Sequence, residues 1–133
     1  MGLEISSTLL ARLLAEAQAT PEIEVCGLLF GTVDRIDAAM RCANVAGDPA
    51  RTFEIDPAAL FAAHKHARSG GPVVIGHYHS HPTGRAEPSA TDAASAMGDG
   101  AVWLILAGRE ARAWRTVKVG AFEALALMPA PSS

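Results

Sequence analysis

Apolar and polar positions alternate or recur at helical spacing along almost the whole chain, and they predict a mixed set of strands and helices. Leu3 and Ile5 alternate with polar residues as in a short strand. Ser6, Ser7 and Thr8 offer N-caps for a helix whose stripe is Leu9, Leu10, Leu13, Leu14 and Ala17, ended by Thr20-Pro21. Val25 to Phe30 reads as a buried strand closed by Gly31, with Gly27 allowing close backbone approach. Arg35 to Val45 reads as its hairpin partner, turning near Val33-Asp34, and Asn44 through Ala50 as a loop. Phe53 and Ile55 alternate in a further short strand. Asp56-Pro57 then caps and starts a helix on which Leu60, Phe61, His64 and Ala67 mark one face, ended by Gly70-Gly71.

The second half continues the pattern. Val73-Val74-Ile75 opens a buried strand that runs into Gly76-His77-Tyr78-His79-Ser80-His81 before Pro82, which has no N–H, stops the ladder. Ser89 opens an alanine-rich helix continuing from Asp92 to Met97 and stopped by Gly98-Asp99-Gly100. Ala101 to Ala107 is nearly all apolar, as a central strand is, Ala111 to Val119 alternates, and Ala121 to Leu127 is a last strand. Residues 129–133 are expected to form a disordered tail. The fold class predicted is α/β (α+β), a mixed sheet flanked by helices, in one domain over residues 1–128.

Composition narrows the function. The chain has 133 residues, half of them apolar and 19% charged, with a net charge of −3. One globular domain follows, with no basic footprint for nucleic acid and no polybasic patch for anionic lipid. The start Met1-Gly2-Leu3-Glu4 lacks the features of a secretion signal, and no apolar run is long enough to span a bilayer, so a cytoplasmic protein is expected. Two cysteines, Cys26 and Cys42, do not make a disulfide framework or a zinc knuckle.

The chemistry concentrates around residues 77–92. On a strand, His79 and His81 share a face and can grip one ion, with His77 one step further back. Ser89 and Asp92, three apart on a helix, can point together. Two imidazoles and a carboxylate make an open zinc site with a position left for water. Ser89-x-x-Asp92 is equally the pattern of a capping box that merely starts a helix, and the local pattern leaves the two readings open. His64 and His66, two apart on a helix, diverge and cannot share an ion. Cys26, within an apolar strand, reads as a small core residue, with a thiol-dependent hydrolase as the alternative.

His79-Ser80-His81-Pro82, seven residues from Pro82 through Pro88, then Ser89-x-x-Asp92 resembles the signature of the JAMM (MPN-plus) metallopeptidases. Upstream, Glu24-x-Cys26-Gly27-Leu28-Leu29-x-Gly31 resembles the element carrying that family's glutamate, with Glu22 the fallback. The resemblance spans nearly the whole chain and is strongest at residues 21–31 and 73–107. It implies the JAMM/MPN-domain (cytidine-deaminase-like) architecture. It also implies Zn2+ on His79, His81 and Asp92, with Glu24 as general base and Ser89 donating to the oxyanion. His77 lies outside the signature and is assigned a supporting role; whether it or Arg85 contacts substrate stays open. The implied activity is a zinc peptidase or isopeptidase acting after the C-terminal glycines of ubiquitin-like or sulfur-carrier proteins, the partner being such a protein with a Gly-Gly tail. A non-catalytic MPN-type binding domain is the other alternative, although such members lose ligands that this chain keeps.

Overall fold

A computed structural model describes residues 2–131. Seven strands and three helices follow in the order β1 (Gly2–Ser6), α1 (Ser7–Ala19), β2 (Cys26–Thr32), β3 (Arg35–Cys42), α2 (Pro57–Arg68), β4 (Val74–Ser80), α3 (Ala90–Ser95), β5 (Val102–Ala107), β6 (Glu110–Lys118) and β7 (Ala121–Ala130). The sheet is mixed, as the patterns predict, with parallel pairs β1/β3, β1/β7 and β4/β5 and the remaining neighbours antiparallel. It is also closed, in the order β1-β3-β2-β4-β5-β6-β7. The short β1 makes the closure by pairing β3 on one side and β7 on the other.

Alternation sorts the side chains. Leu3, Ile5, Leu29, Tyr78, Leu104 and Leu106 are buried in the main cluster, where Leu13 of α1 joins them. Burying each such leucine contributes about 2 kcal/mol relative to leaving it exposed. The Ser6 side chain caps α1 by accepting from the Leu9 N–H at 3.0 Å. A second, smaller cluster of Leu28, Cys42 and Ala63, with Phe30, Ile55, Ala59 and Val74, lies under α2.

Three details depart from the sequence pattern. The small residues Ala59 and Ala63 turn α2 inward, while Leu60 and Phe61 are 37% and 65% exposed. Phe53 and Ile55 form no strand; Ile55 makes one isolated bridge to Asn44, whose side chain organises the loop instead. The last strand continues through Pro129 to Ala130, where a disordered tail was expected, because Met128, Pro129 and Ala130 pair with Glu4, Ile5 and Ser6. Past Leu125, β7 has no β6 partner, and a proline is tolerated in a strand with one unpaired side. The rest of the expected tail, Ser132 and Ser133, lies outside the described residues.

Gly27 is the tightest point of β2. A Cβ there would collide with the Met40 carbonyl oxygen and come within 2.5 Å of the Tyr78 ring. We expect Gly27→Ala to destabilise the fold by about 2–4 kcal/mol, read as a fall in chemical-denaturation midpoint, because neither a ladder carbonyl nor a core tyrosine can step aside.

Candidate metal centre

The strand ends that carry the site are fastened to one another. Tyr78 faces the core, and Ser80, two residues on, accepts the Val25 N–H on its Oγ at 2.8 Å. The Ser80 N–H in turn donates to the Val25 carbonyl at 2.9 Å, locking the end of β4 to the start of β2. Glu24, the residue before, is thereby held beside the opposite face of β4. Its N–H donates to the Pro49 carbonyl at 2.7 Å and its carbonyl accepts from Asn44 Nδ2 at 2.9 Å. Asn44 also donates to the Thr52 carbonyl and accepts the Ala46 and Glu54 N–H groups, so one side chain ties the 44–54 loop to Glu24. The sequence gives no sign of this beyond an Asn ahead of a Gly-Asp-Pro loop.

His79 and His81 emerge on the same face, as the strand period requires. His81 lies one residue beyond β4 but stays in register, its N–H donating to the Leu106 carbonyl at 2.8 Å. Its Nδ1 stands 2.7 Å from the Arg85 carbonyl, which places a proton on Nδ1 and leaves Nε2 with a lone pair. His79 is fully buried and stacks on Phe53 at 4.2 Å between ring centroids. Asp92, in the first turn of α3, is buried as well. Its Oδ2 is 3.2 Å from His79 Nε2 and 3.1 Å from His81 Nε2, and the two imidazole nitrogens are 3.2 Å apart.

The two readings of Ser89-x-x-Asp92 coincide. The Ser89 side chain accepts the Asp92 N–H at 3.1 Å, and Asp92 Oδ2 accepts the Ser89 N–H at 2.9 Å while facing both histidines. The capping box is thus the device that aims the carboxylate. The Ser89 hydroxyl proton is left to donate elsewhere.

These groups fit a cation. Tetrahedral ligand atoms about 2.0–2.1 Å from a zinc ion stand about 3.3–3.4 Å from one another, close to the 3.1–3.2 Å separations here. Burial alone would raise the Asp92 carboxyl, but its close contacts with the His79 and His81 rings and the hydrogen bond from the Ser89 amide hold it well below the usual range, so it is ionised. Burial lowers His79 and keeps its ring neutral. Glu24 joins the cluster, with one ligand atom from each of Glu24, His79 and His81 lying within 4.8 Å of the others. Its Oε1 is buried with no hydrogen-bond partner, and burial lifts its carboxyl to about 7, against the lowering pull of His81. A carboxyl at that value both accepts and returns a proton near neutral pH.

The other candidates fall away from this centre. His64 and His66 are exposed on α2. Cys26 is fully buried on β2 opposite Cys42, both as free thiols, and burial pushes the Cys26 thiol up to about 12. A thiol so suppressed is a poor nucleophile. We expect folded protein to resist iodoacetamide at Cys26 and Cys26→Ala to keep its activity within about threefold, as checked by intact-mass spectrometry and a cleavage assay. His77 is half-buried, with its Nδ1 sealed and unpartnered, and burial drives its ring down to about 3. It packs against Trp103 at 4.4 Å and Phe53 at 5.2 Å between centroids. Phe53 and Trp103 thus shape the site, which their apolar positions in the sequence did not reveal.

A closed mixed barrel carrying this histidine, aspartate and glutamate set defines a JAMM/MPN-type domain. Residues 6–117 match the family described as prokaryotic homologs of the JAB domain, and the chain belongs to that compact prokaryotic JAMM/MPN family. Among individual proteins, it is 40% identical over 91 residues to a desampylase of Haloferax volcanii, a match covering 67% of this chain and 66% of that protein. It is 30% identical over 104 residues to a desampylase of Pyrococcus furiosus, covering 77% of this chain and 74% of the other. The solution structure of a protein from Desulfitobacterium hafniense superposes with a TM-score of 0.82 at 25% identity, covering 98% of this chain and 94% of that one. Among the described residues no helix is long and apolar enough to cross a membrane.

Proposed function

We propose that the protein is a zinc-dependent peptidase or isopeptidase that hydrolyses the bond after the C-terminal glycines of a ubiquitin-like or sulfur-carrier protein. The observation that carries the reading is the convergence of His79 Nε2, His81 Nε2 and Asp92 Oδ2 within 3.2 Å beside the unpartnered Glu24 Oε1. The likeness to two desampylases supports a de-conjugating hydrolase and a Gly-Gly-tailed partner. Residues 1–128, with Pro129 and Ala130 of β7 added, are taken as one catalytic domain, acting in the cytoplasm, where the free thiols of Cys26 and Cys42 are at home.

His79, His81 and Asp92 would hold the ion. A zinc ion there supplies Lewis acidity, acidifying a water and polarising the scissile carbonyl. Glu24 takes the proton of the water as its oxygen attacks the carbonyl carbon. The Ser89 hydroxyl donates to the oxygen on which charge develops, an interaction worth about 3 kcal/mol in comparable holes. Glu24 then passes its proton to the amine as the C–N bond breaks, leaving a glycine carboxylate and a free amine. Phe53 fixes the His79 ring, the Arg85 carbonyl fixes His81, and the Ser89 amide fixes Asp92. A non-catalytic binding domain would have no use for a buried, unpaired glutamate beside a complete ligand set.

Elemental mass spectrometry on protein purified without added zinc tests the reading. We expect about one equivalent of zinc per chain. Less than about a third, with no rise on reconstitution, would overturn it.

A further inference from the structure

The candidate centre opens on a cavity of about 200 Å³ lined by Glu24, His81 and Ser89, and two further cavities lie beyond Asp92. One, of about 330 Å³, is lined by Phe53, Ile55, Leu60, His77, Asp92 and Trp103 among others. Its neighbour, of about 570 Å³, shares Ile55, Leu60 and His77 and continues to Thr32 and Arg115. The shared residues make them one cleft, which begins at the candidate ligand Asp92 and runs between α2 and the strands β4 and β5. Their sizes fall in the range of ligand-binding clefts.

The cleft walls near the seam are apolar, supplied by Leu28, Ile55, Leu60 and Val74. A peptide lying there would lose water from its backbone groups and need a partner for them. His77 stands at the seam and makes no hydrogen bond at either ring nitrogen among the described residues. Only its Nδ1 is sealed from solvent, so Nε2 is the atom presented to the cavities that the ring lines. A sealed lone pair is tolerated better than a sealed N–H, which places the donor at Nε2. Trp103 and Phe53 hold the ring in place. The centroid of His77 lies 6.0 Å from that of His79, while His79 closes with His81 and Asp92.

We propose that His77 is a specificity-determining residue whose Nε2–H donates a hydrogen bond to a backbone carbonyl of the substrate's extended tail, seated in this cleft. The inference rests on the reading under Proposed function for the identity of that tail. It explains why an unpaired imidazole is kept in an apolar wall, where leaving it unmatched is unfavourable.

The test uses the full chain as Glu24→Gln, alone and combined with His77→Phe or His77→Gln. The probes are a Gly-Gly-tailed sulfur-carrier protein and the same carrier with its tail removed. Phenylalanine keeps the packing on Trp103 but has no donor; glutamine restores one. We expect His77→Phe to weaken binding of the tailed carrier about tenfold and His77→Gln to recover most of it, the loss of one hydrogen bond at a desolvated site. In the Glu24 background with native His77, the imidazole Nε2 resonance should move on adding the tailed carrier and not the truncated one. With Glu24 intact, His77→Phe should raise KM about tenfold and leave kcat within about twofold, with zinc content unchanged. Equal binding by His77→Phe, equal binding of the truncated carrier, or loss of zinc in His77→Phe would each overturn the assignment. Should the native protein bind no zinc and cleave nothing, the hydrolase reading falls alone, and the binding comparison still decides His77.

Discussion

Glu24→Gln should keep the fold and the zinc and lower kcat by about 10²–10⁴-fold, the usual contribution of a positioned general base. The substitution is isosteric and touches no hydrogen bond of the Glu24 side chain at Oε1, which has none. The backbone ties to Pro49 and Asn44 that hold the residue are untouched. An amide cannot take a proton from water, so the loss should appear in kcat and not in metal content or melting temperature. Steady-state kinetics on a Gly-Gly conjugate, beside elemental analysis and a thermal melt, reads all three. A variant within about tenfold of native kcat would remove Glu24 from the mechanism.

Asp92 carries two duties on one oxygen, and two substitutions separate them. Asp92→Asn keeps an acceptor for the Ser89 N–H, so α3 stays capped, but removes the anion facing His79 and His81. Zinc content should fall to less than about half an equivalent while the apo protein melts within about 2 °C of native apo protein. Asp92→Ala also removes the acceptor of the Ser89 N–H, the return half of the capping box, at about 1 kcal/mol. It also leaves two buried imidazoles without their partner, so the apo protein should melt at least about 3–6 °C lower. Full zinc loading of Asp92→Asn would mean that the carboxylate is only a cap.

These expectations show where sequence alone was sufficient. The period of two after Val73-Val74-Ile75 put His79 and His81 on one face, and local chemistry alone named Asp56 as a cap and Ser6 as one of three candidates for the other. Glu24 needed the family resemblance, since a lone glutamate before a strand carries no signal of its own. Closure of the barrel was hidden because β1 pairs in parallel with two strands remote from it in the chain, β3 and β7, and such register is set by neither turn nor local period. The same non-local pairing drew Pro129 and Ala130 into β7. On α2 the larger side chains suggested the packed face, yet close approach to β4 favoured Ala59 and Ala63. The role of Asn44 was illegible for a related reason. Its hydrogen bonds gather residues from both sides of a loop whose path exists only once β2 and β3 have paired.

Ser89 and Asp92 mark the boundary between the two kinds of reading. A capping box and a ligand pair look alike in sequence, and in the fold they are one arrangement, with Oδ2 accepting from the helix N-terminus while it faces the histidines. A helix start is a rigid mount for a carboxylate, which is what a site needs if its geometry is to be set before the ion arrives.

Cleavage of a Gly-Gly-linked carrier conjugate, followed by mass spectrometry before and after treatment with a chelator and again after adding zinc back, tests the central claim most directly. The account predicts a free carrier ending in Gly-Gly, cleavage abolished by the chelator, and recovery with about one equivalent of zinc. Cleavage that continues undiminished once the metal is gone would contradict it.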